Sequence, residues 1–257
     1  MKPTTSYRKV TSVGVLARAL GGLFRRAVTS PRTFRQEVVT GVSLIVKATG
    51  APRVRISNVD HWGLDDVSIQ GTVNNYDALV VAALCRHFDC RNFFEIGTYL
   101  GETTWLVAHN NPDVAVYTLD LPSGDSRSDA MLELTDPYLF ERWDRGVRFA
   151  DTPERDRIVQ LLGDSASFNY SPYRESIDMV FIDGSHSYSY VRSDTEAALQ
   201  MLSPKGAILW HDYPAYPGVW AYLNELGKGS DHPIWWIKGT GLAVYTRRDQ
   251  PFFRQDK

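Results

Sequence analysis

From Asn92 onward the chain alternates between short apolar runs and longer polar stretches with apolar positions at helical spacing. Phe93–Ile96, Val114–Leu119, Arg157–Leu162, Ile177–Ile182 and Ala207–Trp210 are rich in β-branched and aromatic residues, which predicts buried strands. Helix-compatible segments such as Tyr190–Leu202 lie between most of them. Strands alternating with helices predict a parallel, doubly wound α/β sheet. Near the end the pattern changes: Pro233–Lys238 and Leu242–Arg247 flank Gly239-Thr240-Gly241, a hairpin signal. The expectation is a seven-stranded, mostly parallel sheet that ends in an antiparallel hairpin.

The first part of the chain follows a different pattern. Val13, Leu16, Leu20, Leu23, Phe24 and Val28 recur at helical spacing with Arg18, Arg25 and Arg26 between them. Pro31 interrupts, and a second helix is predicted over about Phe34 to Lys47. Charge separates the same two regions. Residues 1–56 hold 11 Lys and Arg against the single acid Glu37, and the remainder holds 17 basic and 29 acidic residues. Residues 1–60 are therefore read as a basic helical extension and 61–257 as the main domain. A basic amphipathic helix can lie on an anionic membrane surface or pack its apolar face on this chain or a second copy. Gly21 and Gly22 interrupt the stripe and favour packing, so a homo-oligomer is expected, with peripheral membrane contact as the second possibility. The Arg-rich, acid-poor start also resembles a transit peptide, although nothing in it looks like a cleavage site.

No apolar run approaches the roughly 20 residues that span a bilayer. The two cysteines, Cys85 and Cys90, fall in or near a helical pattern (Asp77 to His87) that would point them to different faces. That predicts unpaired buried thiols in a reducing, cytoplasmic compartment. The acidic main domain also disfavours nucleic acid as a partner.

Five segments carry candidate chemistry. Phe94-Glu95-Ile96-Gly97-Thr98-Tyr99-Leu100-Gly101-Glu102-Thr103-Thr104 ends a strand and turns through two glycines into a helix. Glycine permits close backbone approach to a ligand, and a helix start offers N–H groups. Asp120 closes the next strand and can accept hydrogen bonds from ribose hydroxyls, which signals a nucleoside without saying which. Gly163-Asp164-Ser165 follows the third strand, where a polar group meets an adenine amino group or simply caps a helix. Asp183-Gly184-Ser185-His186 ends the fourth strand and His211-Asp212 the fifth. Neighbouring strands lie about 4.8 Å apart, so acids at adjacent strand ends can share one hard cation.

This series, with Pro204-Lys205-Gly206, resembles the class I S-adenosylmethionine-dependent methyltransferases over residues 75–248. Within them it is most similar to the metal-dependent macrolide and sugar O-methyltransferases, with cephalosporin-hydroxylase-like proteins as cousins. The resemblance implies a Rossmann-like methyltransferase fold. It also implies S-adenosylmethionine as cofactor, held by Glu95, Gly97, Thr98, Gly101, Thr103, Asp120, Gly163, Asp164, Ser165 and Asp183. A divalent metal, magnesium by family or else manganese or another transition ion, is expected on Asp183, His211 and Asp212, with His186 as general base. The acceptor would be a small-molecule hydroxyl, a sugar by analogy. In one place the chain departs from the family: His211-Asp212 stands where those enzymes carry two adjacent acids, and imidazole suits softer ions than magnesium.

Different functions share parts of this pattern. A nicotinamide oxidoreductase would use the same strand-glycine-acid logic, but the glycines lack the G-x-G-x-x-G spacing. A catechol-type O-methyltransferase would also place acids after the fourth and fifth strands, and a non-catalytic scaffold could keep the fold without the reaction. The long connection Leu121 to Asp156, with Tyr138, Phe140 and Trp143 among Asp125, Asp129, Asp136 and Asp144, suits a sugar-binding lid or the core face of an inserted helix. The loop Asp212 to Gly218 is expected to form the opposite wall, and His61-Trp62 to reach the site from the N-terminal side.

Overall fold

The computed structural model describes residues 55–57, 68–70, 75–122, 144–213, 215–229 and 233–247. The predicted arm helices, His61-Trp62 and the acids and aromatics between 123 and 143 lie outside the described residues. The chain divides into two compact units, Met1–Pro52 and Arg53–Lys257, and the described residues all belong to the second.

That unit is an αβα sandwich. In chain order its strands are β1 (Arg55–Ser57), β2 (Asn92–Ile96), β3 (Ala115–Asp120), β4 (Ile158–Leu162), β5 (Ile177–Ile182), β6 (Leu202–Trp210), β7 (Trp235–Ile237) and β8 (Ala243–Thr246). The helices are α1 (Tyr76–His87), α2 (Glu102–Asn110), α3 (Val147–Ala150), α4 (Tyr188–Met201) and α5 (Pro217–Gly229). The spatial order is β1-β7-β8-β6-β5-β2-β3-β4. The seven expected strands are all present. The eighth, β1, pairs in parallel with β7 at the sheet edge, so Arg55–Ser57 belongs to the sheet and not to the extension. Three residues are too short a run to show a period, which is why the sequence pattern did not mark it. Only β8 runs against its neighbours, pairing antiparallel with both β6 and β7.

Strand residues alternate between two cores, as a sheet covered on both faces requires. Phe93, Val116, Met179, Phe181 and Leu209 face α1 and α2, where Val81, Leu84, Leu106 and Val107 meet them. Phe94, Ile96, Val180, Ile182, Ile208 and Trp210 face the opposite layer of α4 and α5, with Val191, Ala198 and Leu223. Asn75 caps α1 by accepting from the Ala78 N–H at 3.1 Å, and Ser187 caps α4 by accepting from the Tyr190 N–H at 3.3 Å. Among the described residues no helix is long and apolar enough to cross a membrane.

Both cysteines are buried and free. The face argument for their separation does not hold, because α1 stops at His87. Asp89 then takes a left-handed backbone conformation (φ 48°) and returns Cys90 against Cys85. The Cys90 N–H donates to the Cys85 carbonyl at 3.1 Å, and burial together with the Cys90 side chain pushes the Cys85 thiol up.

Strand order reverses between β2 and β5: β2 leads outward to β3 and β4, and β5 leads the other way to β6. Ligands of such sheets bind outside the carboxyl ends of the strands at this switch point.

Candidate functional site

A cavity of about 360 Å³ opens at the switch point, within the size range of small-ligand sites. Gly97, Asp120, Gly163, Asp164, Ser165, Asp183, His186, His211 and Asp212 line it, so the structure brings these predicted residues together. Glu95, Thr98, Gly101 and Thr103 were expected beside them, and the cavity lining does not include them.

The reason lies in the pleat. Glu95 shares the face of Phe93, so its carboxylate points toward α2 and accepts from the hydroxyls of Thr104 on that helix and, at 2.6 Å, of Thr118 on β3. Burial pushes its pKa up to about 8, against the pull of those two hydroxyls, and the charges of Asp183 and Asp120 add to the rise. Thr98 is likewise buried, its hydroxyl 2.7 Å from that of Thr118. These groups lie under the turn and support it.

The glycines also answer to the protein. Gly97 has φ +104°, and a Cβ there would stand 2.2 Å from the carbonyl oxygen of Asp183. At Gly101 (φ +86°) a Cβ would stand 2.6 Å from the Phe149 ring. The turn after β2 is thus wedged between the end of β5 and α3, and glycine is needed at both places.

Asp120 anchors this turn. Its Oδ2 accepts from the N–H groups of Thr98 (3.1 Å) and Tyr99 (2.7 Å), and its Oδ1 accepts from Leu121 N–H (2.7 Å). Arg145 Nε lies 3.4 Å from Oδ1 and donates to the Leu121 carbonyl at 2.7 Å. Burial raises the Asp120 pKa, and Arg145 with the three N–H groups offsets part of the rise. Asp164 is pinned in a similar way: Oδ1 accepts from Ala166 N–H at 2.9 Å and Oδ2 from the Tyr190 hydroxyl at 2.9 Å. Behind it, Asp194 on α4 is fully buried. Burial drives its pKa up to about 7, the Asp164 charge adds to this, and the Ser165 hydroxyl opposes it.

The other end of the cavity is a cluster of acids and imidazoles. Asp183 and His211 follow β5 and β6 directly, and the His211 N–H donates to the Ile182 carbonyl at 3.0 Å. His186 Nε2 lies 2.7 Å from Asp212 Oδ2, and the His186 ring stacks on Tyr216 with centroids 3.8 Å apart. His211 Nδ1 lies 3.1 Å from both Asp183 Oδ1 and Asp212 Oδ2, and its Nε2 donates to Asp77 Oδ2 at 3.1 Å. Burial opposes charge on His211, but the surrounding carboxylates push its pKa up to about 12. For Asp212 burial works the other way, and hydrogen bonds from His186 and His211 still hold its carboxyl well below the usual range.

The donor set for a metal therefore differs from the expected one. Asp183, His186 and Asp212 each offer one ligand atom, all within 4.8 Å of one another. His211 Nε2 is bonded to Asp77, and its Nδ1 lies at ion-pair distance from Asp183 and Asp212 without a hydrogen bond, which suits the ring to charge compensation. Two carboxylates with an imidazole fit a divalent ion, and the imidazole favours a transition ion over magnesium.

Sequence reasoning did not single out Asp77, Arg145, Tyr190 or Asp194. Tyr216 entered only as part of the expected Asp212–Gly218 wall, and it does line the cavity. The local signals of the others were ordinary: an acid in the first turn of a helix, a base in a long connection, polar positions on an amphipathic helix.

Comparison with known proteins agrees with this architecture. Residues 94–213 match the family model described as a methyltransferase domain. That span runs from β2 to just past Asp212 and holds every predicted site residue. A curated protein of Sinorhizobium fredii, itself uncharacterised, is 39% identical over 54 residues, which are 20% of this chain and 6% of that protein. The chain thus spans a small fraction of the length of the curated relative it matches. Among solved structures, a Staphylococcus aureus protein described as a caffeoyl-CoA O-methyltransferase superposes with a TM-score of 0.50 at 14% identity, covering 73% of this chain and 88% of that one. A methyltransferase from Geobacter sulfurreducens gives 0.48 at 15% identity, covering 68% and 80%. The O-methyltransferase TomG of Streptomyces achromogenes, solved with S-adenosylmethionine, gives 0.48 at 16%, covering 81% and 96%. The segment from β2 to Asp212 is thus similar to methyltransferase domains, and the sheet has the fold of the Staphylococcus aureus structure.

Proposed function

We propose that this chain is an O-methyltransferase that moves the methyl group of S-adenosylmethionine to a hydroxyl of a small acceptor, a sugar or sugar-containing metabolite. The observation that carries the proposal is the cluster of Asp183, His186 and Asp212 at the same cavity as Asp120 and the glycine turn. A sulfonium methyl is already activated, so the protein must supply alignment and a deprotonated oxygen; alignment contributes roughly 7–11 kcal/mol in favourable cases. A hydroxyl is a poor acid, and a positioned base makes its oxygen a competent nucleophile.

In this reading the adenosyl part occupies the Asp120–Asp164 end. Three N–H groups already occupy the Asp120 carboxylate, which has about four acceptor sites, so it keeps room for one ribose hydroxyl. Gly163, Asp164 and Ser165 border the adenine, and the Gly97 turn borders the methionine part. His186 is the general base. Asp212 accepts from Nε2–H and thereby assigns the ring's lone pair to Nδ1, and the stacked Tyr216 ring fixes its plane. Tyr99, half exposed in a left-handed conformation, and Tyr216 offer faces for the apolar side of a sugar ring.

The same trio supports a second use: Asp183, His186 and Asp212 would hold a divalent ion, which when bound would acidify the acceptor hydroxyl. Removing the ion separates the two uses. We keep as further parts of the proposal assembly into a homo-oligomer, cytoplasmic placement and, for the basic arm, peripheral membrane contact.

Calorimetric titration with S-adenosylhomocysteine, with and without EDTA, tests the core of the proposal. Micromolar binding that survives EDTA is expected, because the acids face the acceptor and not the cofactor. Absence of binding by folded protein under both conditions overturns it.

A further inference from the structure

Asp212 is one of four described residues other than glycine with positive φ, at 60°, and it sits in the acid cluster. Such a backbone is uncommon outside glycine and persists where its surroundings over-determine it. Two sets of contacts bracket it. On one side is the His211 side chain. On the other, the Tyr213 N–H donates to the Gly241 carbonyl at 2.9 Å. Both sets end on the same carboxylate oxygen: Asp77 Oδ2 accepts from His211 Nε2 at 3.1 Å and from Gly241 N–H at 2.7 Å. Gly241 is moulded to that contact, since a Cβ there would stand 2.8 Å from Asp77 Oδ2 and 3.4 Å from His211 Nε2.

We propose that Asp77 is a positioning residue of the active site: through His211 on one flank and Gly241 on the other, it sets where Asp212, and with it Asp183 and His186, stand. The inference deepens the function proposed above and rests on it for the word active. Asp77 lies on α1, ahead of the matched methyltransferase segment, and does not line the cavity. Its Oδ2 fixes the Nε2 side of His211, so Nδ1 is presented midway between Asp183 and Asp212, at 3.1 Å from each. Asp212 Oδ2 in turn meets His186 Nε2 at 2.7 Å. The chain of contacts therefore runs from α1 to the proposed base without Asp77 touching it. Partners of this kind, one step behind reacting groups or ligands, typically change affinity or activity 10–100-fold when removed.

The test compares wild type, Asp77→Ala and Asp77→Asn in long-range proton–nitrogen spectra of histidine-labelled protein, with His186 and His211 assigned by single His→Gln replacements. In Asp77→Ala the ring nitrogens of both His211 and His186 are expected to shift, while those of His109, bonded to Glu154 on the far side of α2, stay in place. Asp77→Asn keeps one acceptor oxygen and is expected to restore most of the wild-type His186 signal; it also carries the comparison if the alanine variant does not fold. An unchanged His186 in a folded variant overturns the inference and reduces Asp77 to a local tie for the β7–β8 turn. Two titrations keep this apart from the function proposed above. S-adenosylhomocysteine affinity should stay within about twofold of wild type in Asp77→Ala, and loss of binding in wild type would count against the methyltransferase reading alone. Mn2+ binding followed by electron paramagnetic resonance should weaken about 10–100-fold. If wild type itself binds no Mn2+, the metal use fails and the histidine spectrum still decides the role of Asp77.

Discussion

The two ends of the cavity are built on different principles. At the Asp120 end, the carboxylate is held by main-chain N–H groups of Thr98, Tyr99 and Leu121. Those partners lie in the turn after β2 and in the residue after Asp120 itself, so a strand, a glycine turn and a second strand suffice to place the acid. At the other end, Asp183, His186, His211, Asp212 and Asp77 meet through their side chains, and they come from the ends of β5 and β6 and from α1. A main-chain cradle fixes a ligand and changes little with the identity of nearby side chains. A side-chain cluster can be retuned by single substitutions, and that would suit the acceptor end of the site proposed above.

The sharpest way to break this contrast is His186→Ala. Turnover, read as S-adenosylhomocysteine released on an acceptor found by screening, should fall about 10²–10⁴-fold, the usual worth of a positioned base. Cofactor binding should stay within about twofold. Near wild-type turnover would remove His186 from the chemistry.

Next in size is a change of stability with pH beneath the Asp164 end of the cavity. The folded pKa of Asp194 is about 7, above its ordinary 3.8. Its contribution is therefore fully present below 3.8 and is lost as pH rises through 7. Asp194→Asn removes that loss. It should raise the melting temperature at pH 8 and have little effect at pH 4, with a difference of at most about 4 kcal/mol from the size of the shift. Equal effects at both pH values would show that the carboxyl does not hold its proton in the fold.

Asp120→Asn should weaken S-adenosylhomocysteine binding by about 1.5–3 kcal/mol, the range for a charge-assisted hydrogen bond, and leave Mn2+ affinity unchanged. Loss of both would mean the two ends are not separate. Gly97→Ala acts on the fold and not on a contact to ligand. Its backbone conformation is unfavourable for alanine and its Cβ would meet the Asp183 carbonyl, so at least about 1–3 kcal/mol of stability, the backbone strain by itself, should be lost in chemical denaturation. A neutral result would show that β5 yields freely at its end.

The same division governs how much of the protein was legible. Five parallel strands, the hairpin and the acids at the strand ends follow from period and residue type, because burial on both faces imposes continuous apolar runs. The edge strand β1 escaped notice because three residues carry no period. Glu95, Thr98, Gly101 and Thr103 read as cofactor contacts because they share a motif with Gly97. The actual neighbours of Glu95, Thr98 and Gly101 are Thr104, Thr118 and Phe149, and only the pleat and the packing of α2 and α3 decide that.

The sequence by itself determined the layered α/β fold, the strand ends where chemistry gathers and the identity of Asp120, Asp183, His186 and Asp212 as groups worth watching. Tertiary structure alone decided that His186 and not His211 completes the acid cluster. It also decided that Arg145 stands against Asp120, and that Asp77, 134 positions before His211, holds the cluster in place. The physical reason is range. Period and turn chemistry act over a few residues and leave their mark locally, whereas a hydrogen bond between two side chains depends on where whole helices and strands come to rest.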